Sequence, residues 1–122
     1  MDAHIIKKYG IDYDSGVRRF MGDVELYETV LTAFLKDKIL DYARAAYQEK
    51  EYEKLFALAH EIKGSSSNAD MYELYAASCI LVELLRNGEY DEEKITQAFI
   101  NFETAYNRAR TGIISAQGGD PL

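Results

Sequence analysis

Apolar residues recur at helical spacing through most of the chain, and the pattern is clearest from Glu53 to Asn68, EKLFALAHEIKGSSSN. The stripe at i, i+3, i+4 and i+7 comprises Leu55, Leu58, Ala59, Ile62 and, just beyond the segment, Ala69. At about 100° per residue, His60 points away from this stripe. The residues one or two turns from His60 on its own side are Phe56, Lys63, Gly64 and Ser67. The pattern predicts a helix with these five residues on its solvent face.

The N-terminal segment predicts two short helices. We expect a first short helix over residues 2–9 that ends at Gly10. From Ile11 to Gly22 we expect a turn followed by a second short helix, which Asp14 or Ser15 would cap. Three apolar residues give the second helix an apolar side: Val17, Phe20 and Met21. We expect this segment to lie across the end of a bundle as a lid.

A long helix follows, with Asp23 as its predicted N-cap and an end near Gln48. Its stripe shifts in phase, so we expect a bend or break near Lys36–Lys38. Before the shift the stripe comprises Tyr27, Val30, Leu31 and Phe34, and after it Leu35, Ile39, Tyr42, Ala43 and Ala46.

Two more helices follow the His60 helix. We expect Asn68 to adopt a left-handed C-cap, and Asp70 with Glu73 to form a variant of the capping box. The third long helix ends at Asn87-Gly88, and Asp91 begins the last. The apolar side of the third comprises Met71, Leu74, Tyr75, Ser78, Leu81, Val82 and Leu85. That of the last comprises Ile95, Ala98, Phe99, Phe102, Ala105, Tyr106 and Ala109.

These stripes predict an all-α protein, an antiparallel four-helix bundle with a short N-terminal helical lid. The bundle domain covers residues 1–110, and the Gly-rich polar segment 111–122 is expected to be a flexible tail. Met1 and the short tail favour a free-standing domain, and we expect it to act as a monomer.

Composition narrows the function classes. The chain has 122 residues, 48% of them hydrophobic and 29% charged, as in one globular domain. The net charge of −7 argues against nucleic acid and anionic membranes as partners. One cysteine, Cys79, excludes an intramolecular disulfide and fits a reducing cytoplasm. No apolar run approaches the length of about 20 residues that spans a membrane, and the first residues do not form a secretory signal.

His60 is the strongest candidate for chemistry, although a lone surface histidine usually has no function. A neutral imidazole nitrogen can attack phosphorus, and Lys63 one turn away can offset the charge of a bound phosphoryl group. Gly64 costs about 1 kcal/mol relative to alanine inside a helix, which suggests that something bulky approaches His60. Lys63 has an ordinary alternative, a bond to Glu61 or Asp70.

Other residues have competing interpretations. Phe56 either folds down between helices or stays exposed as an apolar anchor for a partner. Arg86 could reach toward the neighbouring helix as a second phosphate contact. Three small residues permit close packing near the helix end: Ser65, Ser66 and Ser67. A serine nucleophile is not expected, because the sequence has no Gly-x-Ser-x-Gly turn.

Metal and nucleotide chemistry have weak support. The second histidine, His4, lies outside the expected bundle, and Glu53, Glu61 and Asp70 do not form a Glu-x-x-His repeat with His60. The sequence has no G-x-x-x-x-G-K loop for nucleotide phosphates. We therefore expect no metal ligands and no cofactor.

The motif H-E-I-K-G-S, His60 to Ser65, resembles the phosphoacceptor motif of histidine-phosphotransfer (HPt) domains. The segment from Tyr9 to Asp23, YGIDYDSGVRRFMGD, is similar to the entry segment of that family, and the likeness covers about residues 9–110. One departure is the pair Ala69 and Asp70, where many members have an aliphatic residue and a glycine. The departure puts the shape of this turn in doubt more than the site.

The resemblance implies a phosphorelay carrier in two-component signal transduction. His60 would accept a phosphoryl group from a receiver-domain aspartyl phosphate and pass it to another receiver, with Lys63, Gly64, Phe56 and Ser67 contacting phosphoryl or partner. The partners would be receiver domains of response regulators or hybrid histidine kinases. The Mg²⁺ and the catalytic pocket would belong to the receiver, so the chain would not itself be an enzyme.

Two alternatives stay open at the level of sequence. One is an adaptor with the same helical bundle that binds a signalling partner without carrying phosphate. The other is an unrelated helical interaction module in which His60 is an ordinary surface residue.

Overall fold

The computed structural model describes residues 1–118, and within them all regular structure is α-helical, as the sequence predicts. Seven helices follow one another in this part of the chain: α1 (Ala3–Lys7), α2 (Tyr13–Arg19), α3 (Val24–Phe34), α4 (Ile39–Gln48), α5 (Tyr52–Asn68), α6 (Tyr72–Leu85) and α7 (Glu92–Ala116). None of them is long and apolar enough to cross a membrane.

Aspartate N-caps begin four of these helices, and Asp2 caps α1 by accepting from the His4 and Ile5 N–H groups at 2.9 and 3.1 Å. Asp23 and Asp91 each accept a hydrogen bond from the backbone N–H three residues on, at 3.0 and 3.2 Å, as predicted. The predicted cap of α2 is wrong. Asp12, not Asp14 or Ser15, caps this helix by accepting from the Ser15 N–H at 3.1 Å, since the turn after Ile11 is shorter than expected.

The first long helix is broken where its stripe changes phase. α3 ends at Phe34 and α4 begins at Ile39, which confirms the predicted break near Lys36–Lys38. The Asp37 carboxylate accepts from the Ile39 N–H at 2.8 Å, so a polar side chain inside the break satisfies a donor of the new helix.

Tyr42 and Met21, which the sequence pattern placed on the apolar sides of their helices, are exposed. Tyr42 is 56% exposed, while its neighbour Leu40 is buried, because α4 restarts after the break with its own phase. Met21 is 94% exposed and adopts a left-handed φ of 58°, so the turn after α2 directs this side chain into solvent.

The turn between α5 and α6 differs from its prediction. Asn68 remains helical, and Asp70 is the left-handed residue, with φ of 55°. The predicted Asp70–Glu73 capping box does not form, because each carboxylate pairs with an arginine of another helix. Asp70 pairs with Arg19 and Glu73 with Arg108.

The last helix is longer than expected, so the predicted flexible tail is wrong for residues 111–116. α7 continues to Ala116, and Gly112, Ile113 and Ala116 are buried. The cause is the N-terminal segment, because α1 packs against α7 and the Asp2 N–H donates to the Ala116 carbonyl at 3.0 Å. Residues 119–122 of the predicted tail lie outside the described residues.

Helix packing builds one hydrophobic core. α5 packs against α4 and most extensively against α6, α6 packs against α7, and α3 and α4 each contact α7. Fully buried side chains from these helices meet at the centre: Leu31, Leu55, Ile62, Leu74, Leu81, Ile95 and Phe102. The face of α5 opposite its buried stripe is left to carry the candidate site.

Candidate functional site

His60 lies in the middle of α5 with its side chain exposed. Its orientation follows from the buried stripe of the same helix, where Leu55, Ala59 and Ile62 are inaccessible to solvent. Burying those three residues turns His60 outward, since positions one residue away from a stripe lie about 100° around the helix.

A depression of about 250 Å³ on this face collects most of the predicted site residues. Its lining comprises His60, Lys63, Gly64, Ser67 and Tyr75. Four of them come from α5 and the fifth from α6. A partner group that enters the depression therefore meets an imidazole, an ammonium group and a gap beside a glycine.

Gly64 is not required by packing within residues 1–118. A Cβ built on Gly64 has no heavy atom of its surroundings within 4 Å. At Gly112, by contrast, a Cβ would lie 2.5 Å from Cβ of Tyr9. Gly112 is thus a close-packing glycine, whereas the space beside Gly64 is open and adjoins His60.

Phe56 borders His60 on the N-terminal side of α5. Its ring centroid lies 5.8 Å from that of the imidazole, with 43° between the planes. The side chain is half-buried and packs against the core while keeping this contact. The guanidinium carbon of Arg86 lies 5.7 Å from the Phe56 centroid, so the ring has an imidazole on one flank and a cation on another.

Lys63 makes no ion pair among the residues that the structure describes. Asp70, one of its two possible partners, is taken by α2: Arg19 Nε donates to it at 2.9 Å and Ser15 Oγ at 3.2 Å. Lys63 is half-buried and lines the depression.

Tyr75 belongs to the depression, although the sequence pattern assigned it to the buried side of α6. It is 38% exposed. A hydrogen-bonding interaction with Cys79, one turn along α6, raises the pKa of Tyr75 above its ordinary value. The one sequence signal for this exposure is that Tyr75 follows Leu74 directly and so lies one position out of phase with the buried stripe of α6.

Within residues 1–118, no group of three or more histidine, cysteine, aspartate or glutamate side chains is placed to hold a metal ion. The chemistry available at the depression is that of a nucleophilic imidazole with a nearby cation. Comparisons with protein-family models, curated proteins and solved structures gave no match to this chain.

Proposed function

We propose that this protein is a phosphoryl carrier of the histidine-phosphotransfer type. His60 accepts a phosphoryl group from the aspartyl phosphate of one receiver domain and passes it to the aspartate of another. The observation that carries the proposal is the grouping of His60, Lys63 and Gly64 around one depression on the solvent face of α5.

In the transfer step, the lone pair of an imidazole nitrogen attacks phosphorus, and the bond from phosphorus to the aspartyl carboxyl oxygen breaks. The carboxylate leaves with the bonding electron pair, and the ring becomes an N-phosphorylated imidazolium. Lys63 offsets the charge of the phosphoryl oxygens. In the second transfer a new aspartate carboxylate attacks phosphorus, and the neutral imidazole is the leaving group. Both steps conserve charge without a metal ion or cofactor bound to this chain.

The surroundings of His60 support this role. Neither imidazole nitrogen has a hydrogen-bond partner within residues 1–118, which leaves both ring nitrogens available to a ligand. Gly64 leaves open space on the C-terminal side of His60. The depression is too open to exclude water by itself, so positioning and charge stabilisation must come largely from the partner. That division of labour is the one expected of a carrier that is not an enzyme.

We also propose the finer architecture, an antiparallel four-helix bundle with an N-terminal lid. In this arrangement the interrupted pair α3–α4 counts as one helix, and α5, α6 and α7 are the other three. The contacts of α4 with α5, α5 with α6, α6 with α7, and α7 with α3 and α4 support a closed bundle. α1 and α2 form the lid.

The direct test is incubation with a receiver domain phosphorylated on its aspartate, followed by an assay for phosphate on this chain. We expect labelling that is lost in acid and kept in alkali, because the phosphorus–nitrogen bond of phosphohistidine hydrolyses in acid. His60→Gln should abolish the label. His4→Gln is the matched control, since His4 is also exposed but lies on α1, and it should label like the parent.

The outcomes separate the alternatives. Receiver binding without labelling would identify an adaptor that carries no phosphate. Labelling that survives in His60→Gln would place the acceptor elsewhere. Neither binding nor labelling across a panel of receivers would favour an unrelated interaction module, and the proposal would fail.

A further inference from the structure

The side chains of Arg86, Phe56 and His60 follow one another across α6 and α5, with 43° between the Phe56 and His60 rings, and we call these three side chains the stack. Arg86 follows the last residue of α6, and its guanidinium carbon lies 5.7 Å from the Phe56 centroid. Phe56 in turn lies 5.8 Å from the centroid of His60, one turn along α5. We propose that Arg86 is a positioning residue for phosphoryl transfer, which acts on His60 through Phe56. This inference rests on the proposed function of His60.

The stack restricts the Phe56 ring. Phe56 is half-buried and packs against the core, which leaves part of the ring exposed. Arg86 lies over the ring from the neighbouring helix. A guanidinium group suits this role, because its planar, delocalised cation stacks on an aromatic face better than an ammonium group does.

Glu83 holds the guanidinium in place. The Nε and Nη2 atoms of Arg86 lie 3.1 and 3.0 Å from one Glu83 carboxylate oxygen, within the same turn of the chain. Both side chains are largely exposed, and exposed ion pairs are weak. We therefore infer that Glu83 only orients Arg86. The contact of Arg86 with Phe56 is what affects His60.

The positions of the two cations give the stack a functional consequence. Lys63 lies one turn beyond His60 on α5, and Arg86 lies on the opposite side, past Phe56. The imidazole is thus held from the N-terminal side by a fixed ring and faces an open, cationic depression on the C-terminal side. Fixing the ring limits the orientations in which His60 can meet a phosphorus atom, which accelerates a transfer that depends on alignment.

The test combines transfer rates with a structural signature in the intact chain. Phosphate transfer from a phosphorylated receiver is measured for the parent, Arg86→Ala, Arg86→Lys, Phe56→Leu, the double variant and Glu83→Gln. NMR spectra of the His60 ring protons report the ring current of Phe56, and they need no phosphate. We expect Arg86→Ala to slow transfer by about two- to fivefold, the range that a partly exposed cation–π contact corresponds to.

The expected pattern is specific to a role through Phe56. Arg86→Ala should shift the His60 ring signals toward those of Phe56→Leu, and it should have no further effect on transfer in the Phe56→Leu background. Arg86→Lys should restore only part of the rate, and Glu83→Gln, which removes only the weak ion pair that orients Arg86, should slow transfer less than Arg86→Ala does. Full rescue by Arg86→Lys, or an undiminished effect in the Phe56→Leu background, would overturn the inference in favour of a purely electrostatic role.

Failure of this inference is distinguishable from failure of the proposed function. If the parent labels on His60 but Arg86→Ala transfers at the parental rate with unchanged ring signals, Arg86 has no positioning role and the carrier function stands. If the parent takes up no phosphate, the carrier function fails, and the inference that depends on it fails as well, whatever the ring signals show about the stack.

Discussion

At the scale of single residues, the availability of Lys63 depends on a contact made elsewhere. Asp70 would be a natural counter-ion for a lysine two turns before it, but it accepts hydrogen bonds from Arg19 and Ser15 of α2. The carboxylate is mostly buried by these contacts, with its side chain 13% exposed. The short helix α2 therefore keeps a competing anion away from the depression and leaves the Lys63 ammonium group for a ligand.

His60→Gln should leave stability unchanged while removing the proposed acceptor nitrogen. His60 is exposed and makes no hydrogen bond through its ring within residues 1–118, and changes at such surface positions usually alter the free energy of unfolding by no more than about 0.5 kcal/mol. Chemical denaturation of the variant and the parent checks this. A large loss of stability would mean that the imidazole supports the fold, and its exposure on α5 would have to be reinterpreted.

Gly64→Leu should separate stability from function. Leucine has the better helix propensity by somewhat under 1 kcal/mol, and the space around Gly64 is open, so the variant should melt at or above the parental temperature. The new side chain would project beside His60, and transfer from a phosphorylated receiver should slow sharply. Both quantities are measured on one sample.

Gly112→Ala provides the contrasting glycine. Its new Cβ would lie 2.5 Å from Cβ of Tyr9, an atom too close to the backbone to move cheaply, so this variant should be destabilised. If Gly64→Leu is stable and still transfers at the parental rate, Gly64 clears no path to His60. If Gly64→Leu is destabilised as Gly112→Ala is, Gly64 is needed for close helix packing, and the space beside it is not open.

At the scale of elements, sequence periodicity predicted the helices and their buried faces. It did not predict the features that depend on contacts between residues far apart in the chain. The stripes of α3, α5 and α7 and the break between α3 and α4 follow from apolar spacing alone, because each helix must bury one face. The same spacing put His60 and Lys63 on one face of α5. Periodicity misplaced Tyr42, since a break resets the phase of the next helix by an amount that local sequence does not encode.

The conformation of the turn after α5 and the position where α7 ends could not be predicted from the neighbouring sequence. An aspartate before a helix is usually a cap, but Asp70 is drawn to Arg19 of a helix 51 residues earlier in the chain. A Gly-rich segment usually ends a helix, but Gly112 lets Tyr9 approach α7 closely, and α1 then covers the helix end. In both cases a long-range contact overrides a sound local expectation.

Ile62→Ala and Phe102→Ala should each destabilise the protein by roughly 2–5 kcal/mol. Both side chains are fully buried, Ile62 on α5 and Phe102 on α7, and truncation would remove apolar contacts and leave a cavity. Denaturant titration gives the free energies. Ile100→Ala is a matched control on α7, because Ile100 is 49% exposed and should lose much less. Losses under about 1 kcal/mol at both buried sites would contradict the helix phases and the face assigned to His60.

At the scale of the whole molecule, polar contacts attach the N-terminal helices to the rest of the chain. Arg108 of α7 donates to the Lys8 carbonyl at 2.6 Å and to Glu73 of α6 at 3.0 Å, and its guanidinium carbon lies 5.3 Å from the Tyr9 ring centroid. One arginine thus joins α1, α6 and α7. These residues are far apart in sequence, so no local pattern could have predicted that the N-terminal segment is fixed in this way.

A second attachment joins α2 to α3 and makes stability depend on pH. The Tyr13 hydroxyl donates to the Glu28 carboxylate at 2.5 Å. This hydrogen bond lowers the pKa of Glu28, and burial together with the nearby carboxylate raises the pKa of Tyr13 to about 12. Since the pKa of Glu28 is lower in the folded than in the unfolded chain, its contribution is complete above the unfolded value. The contribution is lost as the pH falls through the folded value.

Tyr13→Phe should therefore destabilise the protein at neutral pH by about 1–2 kcal/mol, the range for a hydrogen bond to a charged acceptor at a partly exposed site. The difference from the parent should shrink as the pH falls below about 4, because protonation of Glu28 removes the charged acceptor in both proteins. Urea denaturation at a series of pH values measures it. Tyr42→Phe is the control, since Tyr42 is exposed and should give a small difference at every pH. A difference for Tyr13→Phe that stays constant down to about pH 3 would show that the hydroxyl acts without Glu28, and that the attachment of α2 to α3 does not depend on a carboxylate charge.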